Sequence, residues 1–257
     1  MKSRVILRSP LLAQLHGVQH GFATRLGGVS KDPVATFNFG TQFDTPEAAT
    51  ENRRRFALEL RIEGPHRLCE VSQVHGTHVA AAPVTPETEA DAIVSNTPGW
   101  AIGVRTADCA PILIACCDSR GEVVQVAAIH AGWRGATAGI VLSTLGKLTA
   151  AGAKAELMRA AVGPLIGWDR FEVGEEVVEA ARASLQGQQP QVRIGSRGRP
   201  LLDLRHLVTQ HLLDGGLEPE YIDHVGGCTY DTPALFFSYR RDKGRNGTHL
   251  SAITFGV

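Results

Sequence analysis

Two apolar runs, Ile112–Cys117 and Val123–Ile129, are separated only by Asp118-Ser119-Arg120-Gly121. No other feature restricts the fold as much. Each run has the length of a strand, and the polar linker has the composition of a turn, so the pair predicts a buried hairpin. Further strands are expected at Arg67–Gln73, Val79–Ala82 and Ala101–Val104, and later at Tyr221–Val225 and Leu250–Phe255.

Helices interrupt these strands in no regular order. Thr45-Pro46-Glu47 opens one that runs to about Leu60, with Pro at the first position and acid in the first turn, as the helix dipole favours. A turn at Gly132-Trp133-Arg134-Gly135 leads into a helix over Thr137–Ala151, ended by Gly152. Two more are expected at Glu175–Leu185 and Leu204–Leu213, the second capped by Asp203 and stopped by Gly215-Gly216. Residues 16–43 are rich in glycine and turns, with a tight loop at Thr24–Ser30. There is no internal repeat, low-complexity tract or interdomain linker. The expectation is an α+β layered sandwich of mixed sheets and packed helices, one domain over residues 1–257, and not a regular doubly wound fold.

Charge narrows the partners. With 26 Lys+Arg against 26 Asp+Glu the net charge is zero, which argues against a dedicated nucleic-acid binder. A composition of 43% hydrophobic and 20% charged residues is that of a globular protein and excludes disorder. Of the basic residues 21 are Arg and five are Lys. Arg suits bidentate recognition of phosphate or carboxylate, although a codon bias explains the same count. Met1–Pro10 holds no apolar signal region, and no stretch reaches the roughly 20 apolar residues of a membrane span. The five cysteines are odd in number and lack disulfide spacing, so a reduced, cytoplasmic protein is expected.

Three residues near predicted strand ends carry the chemistry: His75, Cys109 and His130. Two imidazoles and a thiolate suit a borderline-soft ion such as Zn²⁺, and three protein ligands leave a fourth position open, as in catalytic zinc sites. Their spacing matches no short zinc pattern, and buried or surface packing is the competing reading. His78 follows His75 by three, which in an extended segment puts it on the opposite face. Cys69, Cys116, Cys117 and Cys228 read as buried apolar residues.

The blocks around these residues resemble, in order, the YfiH family of laccase-domain or polyphenol-oxidase-like proteins. They are His20–Ser30, Glu51-Asn52-Arg53, Gln73-Val74-His75-Gly76, Ala90-Asp91-Ala92-Ile93-Val94, Thr106-Ala107-Asp108-Cys109-Ala110-Pro111, His130-Ala131-Gly132-Trp133-Arg134-Gly135 and Phe236–Asp242. Together they span about residues 16–245. The resemblance implies an α/β layered fold and a metal, zinc, held by His75, Cys109 and His130. It implies phosphorolysis of purine nucleosides (adenosine, inosine, guanosine and methylthioadenosine) by inorganic phosphate, with adenosine deamination beside it. One departure stands out: where family members often carry cysteines after Gly-Pro, this chain reads Gly163-Pro164-Leu165-Ile166-Gly167-Trp168-Asp169.

Within that expectation Asp108, next to a ligand, is a candidate proton shuttle, with orientation of a ligand or closure of a turn as the alternative. Arg25, Arg53 and Arg134 are candidates for the phosphate, Arg134 having the best local setting in a Gly-rich turn before a helix. Trp133 is placed to stack on a purine or to pack in the turn. Two other readings remain. A copper-loaded polyphenol oxidase is one, although no His-x-His pair occurs among the ten histidines and Met1 and Met158 are the only methionines. A metal-free hydrolase with Cys109 as nucleophile and a histidine base is the other.

Overall fold

The computed structural model describes residues 6–256, so Met1–Val5 of the N-terminal stretch read above, and Val257, lie outside the described residues. In chain order the strands are β1 Ile6–Leu7, β2 Val18–Ala23, β3 Leu68–Cys69, β4 Val79–Ala81, β5 Ala92–Ser95, β6 Ala101–Thr106 and β7 Ala110–Cys117. They continue as β8 Val123–Ala131, β9 Met158–Val162, β10 Val192–Ile194, β11 Pro200–Leu202, β12 Ile222–His224 and β13 His249–Phe255. The helices are α1 Pro10–Ala13, α2 Pro46–Glu59, α3 Trp133–Ala138, α4 Ile140–Ala150, α5 Glu175–Ser184, α6 Leu204–Asp214 and α7 Tyr239–Asp242.

The predicted hairpin is the antiparallel pair β7–β8, in continuous register from Ala110↔Ala131 to Cys116↔Gln125. It lies at the centre of a six-stranded mixed sheet, order β12-β9-β7-β8-β5-β4. A five-stranded sheet, order β1-β2-β13-β6-β3, packs against it, and β10–β11 form a separate ribbon. Side-chain parity shows why the runs had to be apolar at nearly every position. Leu113, Ala115, Val126 and Ala128 join Phe22, Ile102 and Ile253 in the core between the sheets. Ile112, Ile114, Ala127 and Ile129 point the other way, onto Leu145 and Leu148 of α4, Val177 of α5 and Leu207 and Val208 of α6. Successive side chains alternate faces, so a strand covered on both sides has little place for polar groups; Gln125, the exception in the second run, is buried and donates from Nε2 to Ala151 O. On the far side of the five-stranded sheet, Phe56 and Ala57 of α2 pack with Phe37, Phe39, Leu250 and Ala252. The result is the expected layered sandwich, with helix, sheet, sheet and helices in turn.

Two of the expected elements are displaced, and β5 and β9 of the six-stranded sheet have no counterpart in the sequence reading. The strand expected at Arg67–Gln73 pairs only over Leu68–Cys69, after which a single bridge, Ser72↔Glu89, is its remaining ladder contact. The helix expected over Thr137–Ala151 begins earlier, at Trp133, and is split at Gly139, which adopts φ 98°. No helix among the described residues is long and apolar enough to cross a membrane.

Several irregular segments are held by arginines that grip main-chain oxygens. Arg25 donates from Nε and Nη2 to Ala35 O and from Nη1 to Pro233 O. Arg53 reaches Phe39 O, and Arg241 reaches the carbonyls of Thr229, Tyr230 and Phe236. Asn52, wholly buried on α2, donates to Ser30 Oγ and Asn38 O and accepts from Val29 N–H, which shapes the Gly-rich loop.

Candidate metal centre

The site lies at one end of the six-stranded sheet, where register brings distant residues together. Ala92 pairs with Ile129, and the His130 N–H donates to Asp91 O at 2.7 Å, so β5 starts where β8 is ending. Ala110 pairs with Ala131, which puts Cys109 just before β7 at the same end of the sheet. His75 comes from the segment between β3 and β4 and holds a left-handed φ of 60°. That conformation is costly for a histidine and needs surrounding contacts to impose it.

His75, Cys109 and His130 form the one group of His, Cys, Asp or Glu side chains among the described residues whose ligand atoms could share an ion, all lying within 4.8 Å of one another. Cys109 Sγ is 4.0 Å from His75 Nε2, and the two imidazole rings stand edge to face at 82°. Ligand atoms on a tetrahedral zinc lie about 3.3–3.6 Å apart, by the usual metal–nitrogen and metal–sulfur lengths, so a small contraction closes this set on an ion.

Asp91, fully buried, organises the group. Its Oδ1 accepts from His130 Nδ1–H at 2.7 Å and from the His75 N–H at 2.9 Å, and its Oδ2 accepts from the Gly76 N–H at 2.6 Å. One carboxylate therefore fixes the His130 tautomer, leaving Nε2 for a ligand, and holds the backbone that presents His75. Burial pushes the Asp91 carboxyl up, but the His130 hydrogen bond and the Gly76 amide outweigh it and the group ends below its ordinary range. Burial likewise pushes the Cys109 thiol up, and the His130 and His75 imidazoles overcome this and bring it to about 6. His130 is lowered by burial and raised by the Cys109 thiolate and Asp91, ending at about 9. The pair is thus a thiolate beside an imidazolium, and a zinc-type ion bound here would take the place of the Nε2 proton.

Close approach completes the fit. A Cβ added at Gly132 would stand 2.9 Å from His75 Cδ2 and 3.0 Å from Cys109 Sγ, so only glycine leaves the ligands their room. A Cβ at Gly135 would stand 3.0 Å from Gly76 O, the same loop seen from the next turn. The residues present fit a bound metal ion.

This centre opens into a cleft of about 870 Å³. Its walls include Phe43, Gln73, Arg105, Trp133, Arg134, Glu172, Tyr239 and Arg240. Of the three arginines expected at phosphate, Arg134 lines the cleft, exposed, with its guanidinium 4.4 Å from the Trp133 ring. Arg25 and Arg53 do not line it. Arg25 is spent on Ala35 O and Pro233 O and stacks on Phe237, and Arg53 forks onto Glu70, Nη2 to Oε2 being 3.1 Å. Neither guanidinium is placed to meet a phosphate in the cleft, contrary to the expectation for these two. Arg105 and Arg240, which sequence reasoning passed over, stand in the cleft wall instead.

Asp108 lies outside the ligand cluster, and both its oxygens are taken by donors from elsewhere in the chain: Thr229 Oγ1–H, Ser238 Oγ–H and Arg240 N–H. That arrangement does not suit a proton shuttle. His78 is exposed, its Nδ1 at 2.7 Å from Glu89 O. Cys69, Cys116 and Cys117 are buried and Cys228 is half-buried, none of them near enough to join the ligand group. Asp91 was visible only as part of a motif block. Its signal in the sequence was a lone acid at the head of an apolar strand, which calls for a buried partner.

The family described as multi-copper polyphenol oxidoreductase laccase matches residues 19–256. A purine nucleoside phosphorylase of Deinococcus radiodurans is 39% identical over 249 residues, covering 96% of this chain and 92% of that protein. Purine nucleoside phosphorylase YfiH of Escherichia coli K12 is 38% identical over 239 residues, covering 91% and 93%. The crystal structure of YlmD from Geobacillus stearothermophilus superposes with a TM-score of 0.88 at 31% identity, covering 99% of this chain and 97% of that one. With that coverage by family, relatives and fold alike, the chain belongs to the YfiH family of laccase-domain proteins.

Proposed function

We propose that this chain is a zinc-dependent purine nucleoside phosphorylase acting on adenosine, inosine, guanosine and methylthioadenosine, with adenosine deaminase activity at the same centre, working in the reducing cytoplasm. The observation that carries the reading is the His75–Cys109–His130 group at one end of a cleft that also presents Arg134 and Trp133. The names of the relatives, purine nucleoside phosphorylases, support the phosphorolysis part of the reading.

His75, Cys109 and His130 would hold the zinc. When bound, the ion supplies Lewis acidity at its open position. Asp91 keeps both histidines aimed at it. Phosphorolysis joins a phosphate oxygen to the ribose C1′ and breaks the bond to the purine, whose electron pair leaves with the base and is quenched by a proton. Arg134 makes none of the ion pairs found among the described residues, so its guanidinium is free to hold the incoming phosphate. Trp133, half-buried in the same wall, packs under the Arg134 guanidinium and would hold it at the phosphate position.

A second reading has a specific observation behind it. Asp91, His130 and Cys109 align as an acid, an imidazole and a thiol, the arrangement of a metal-free cysteine hydrolase. A copper-loaded polyphenol oxidase is the third, and a single three-ligand group among the described residues suits one ion better than a copper cluster.

Elemental analysis of the purified protein, paired with inosine and adenosine turnover with and without phosphate, separates them. The expected result is stoichiometric zinc, phosphate-dependent release of the base, and loss of both metal and turnover in His75→Ala. Turnover indifferent to chelation and to His75→Ala would overturn the zinc reading. Copper with phenol oxidation, or a metal-free thiol enzyme, would install one of the others. Arg134→Ala should raise the phosphate KM by about tenfold or more while the nucleoside KM stays close to wild type.

A further inference from the structure

We propose that Asp108 is a positioning residue: a latch that holds the cleft wall carrying Tyr239 and Arg240 against the loop carrying Cys109, and so sets nucleoside binding. The inference rests on the reading of the cleft as a nucleoside site, and goes beyond it in assigning a determinant of substrate affinity.

Asp108 is buried, and both oxygens of its carboxylate accept hydrogen bonds from one segment of chain. Oδ1 accepts from Thr229 Oγ1–H at 2.6 Å, and Oδ2 accepts from Ser238 Oγ–H at 3.0 Å and Arg240 N–H at 2.7 Å. The donors are 121, 130 and 132 residues away in sequence, so the carboxylate is a long-range tie and not a local turn device. Its own carbonyl accepts from the Ile166 N–H at 3.0 Å, and Ile166 lines the cleft. The residue also holds φ 85°, a conformation Asp tolerates better than most residues and which these contacts impose.

The strip Thr106–Cys109 grips the same wall a second time. Buried His249 accepts from the Phe237 N–H at Nε2 and donates from Nδ1 to Thr106 O. Ser238 passes the tie on, its Oγ accepting from the Arg241 N–H as the cap of α7. Tyr239, 63% exposed, and Arg240, whose Nη1 reaches Glu172 O, thereby stand in the cleft at a set place relative to Cys109. Asp108 itself lines the cleft, yet three donors from the facing wall engage its carboxylate, which suits a tie better than a proton carrier. Asn at this position supplies one acceptor oxygen where three donors need two, and its amide faces donors.

The test compares Asp108→Asn with the double variant Thr229→Val/Ser238→Ala, which removes two ties and leaves the carboxylate in place. Each full-length protein is assayed for metal content, for inosine phosphorolysis, and for amide hydrogen exchange. If Asp108 is the latch, both variants keep wild-type metal content and exchange faster over residues 229–243. Both also raise the inosine KM about tenfold, with kcat within a few-fold of wild type. If it transfers a proton, Asp108→Asn loses about a hundredfold or more in kcat while the double variant behaves as wild type, and the proposal falls. Unchanged exchange over 229–243 in both variants overturns it as well. Should the wild type fail to turn over inosine, the functional reading fails alone, because the exchange arm still decides the latch.

Discussion

Gly132 and Asp91 shape the same candidate centre by opposite means: Gly132 leaves space beside His75 and Cys109, and Asp91 fills space against His130 and the His75 backbone. Gly132 has an ordinary φ of −72°, so its glycine is not conformational; it is the room a methyl would take from Cys109 and His75. Gly132→Ala should fold normally and bind zinc more weakly, as competition against a chromogenic chelator would show; unchanged affinity would mean that the ligands lie elsewhere. Asp91→Asn keeps the shape but loses the charge-assisted bond to His130, and an affinity loss of about 10–100-fold is expected in the same assay. The three residues of the candidate centre were legible in the sequence because their chemistry is in their side-chain types. Asp91 was not, because its meaning lies in a partner 39 residues away. Arg25 and Arg53 misled for a related reason: an arginine that ends on backbone oxygens looks, in a sequence, like one that awaits an anion.

At the scale of elements, the break between α3 and α4 shows what a periodic pattern hides. A lone glycine inside a helical stretch is tolerated, so Gly139 and Gly146 look alike in sequence. In the structure Gly139 sits at φ 98°, whereas Gly146 lies on the exposed face of α4, and a Cβ at either meets nothing within 4 Å. The same substitution should therefore have opposite signs. Gly139→Ala should cost about 1–2 kcal/mol from the left-handed backbone. Gly146→Ala should stabilise by about 0.5–1 kcal/mol from helix propensity. Denaturant midpoints of the two variants check the pair, and equal shifts would contradict the break. The central hairpin was legible because burial on both faces leaves its mark at nearly every position. The strand expected at Arg67–Gln73 was overextended because apolar content does not say where a ladder partner ends.

For the whole molecule, buried neutral histidines set the response to acid. Burial, aided by Arg8, lowers His20 to about 4, and burial lowers His249 to about 3. In the unfolded chain each takes up a proton near pH 6.5. Below that pH the unfolded state binds more protons than the fold, so stability falls as pH drops from about 6.5 toward 4 and 3. Thermal melts at stepped pH should follow that slope, and a melting temperature unchanged between pH 7 and 4 would refute it. The arginine forks have a different consequence. A guanidinium bound to main-chain oxygens makes no demand on the side chains of the segment it holds. The grip on the carbonyls of Ala35, Pro233 and Tyr230 is therefore indifferent to the side chains at those three positions, while burial still fixes Phe37, Phe39 and Phe236 in the same stretches. Lys, a single point charge, cannot reproduce such a forked contact, so the course of these loops depends on arginine itself at positions 25 and 241.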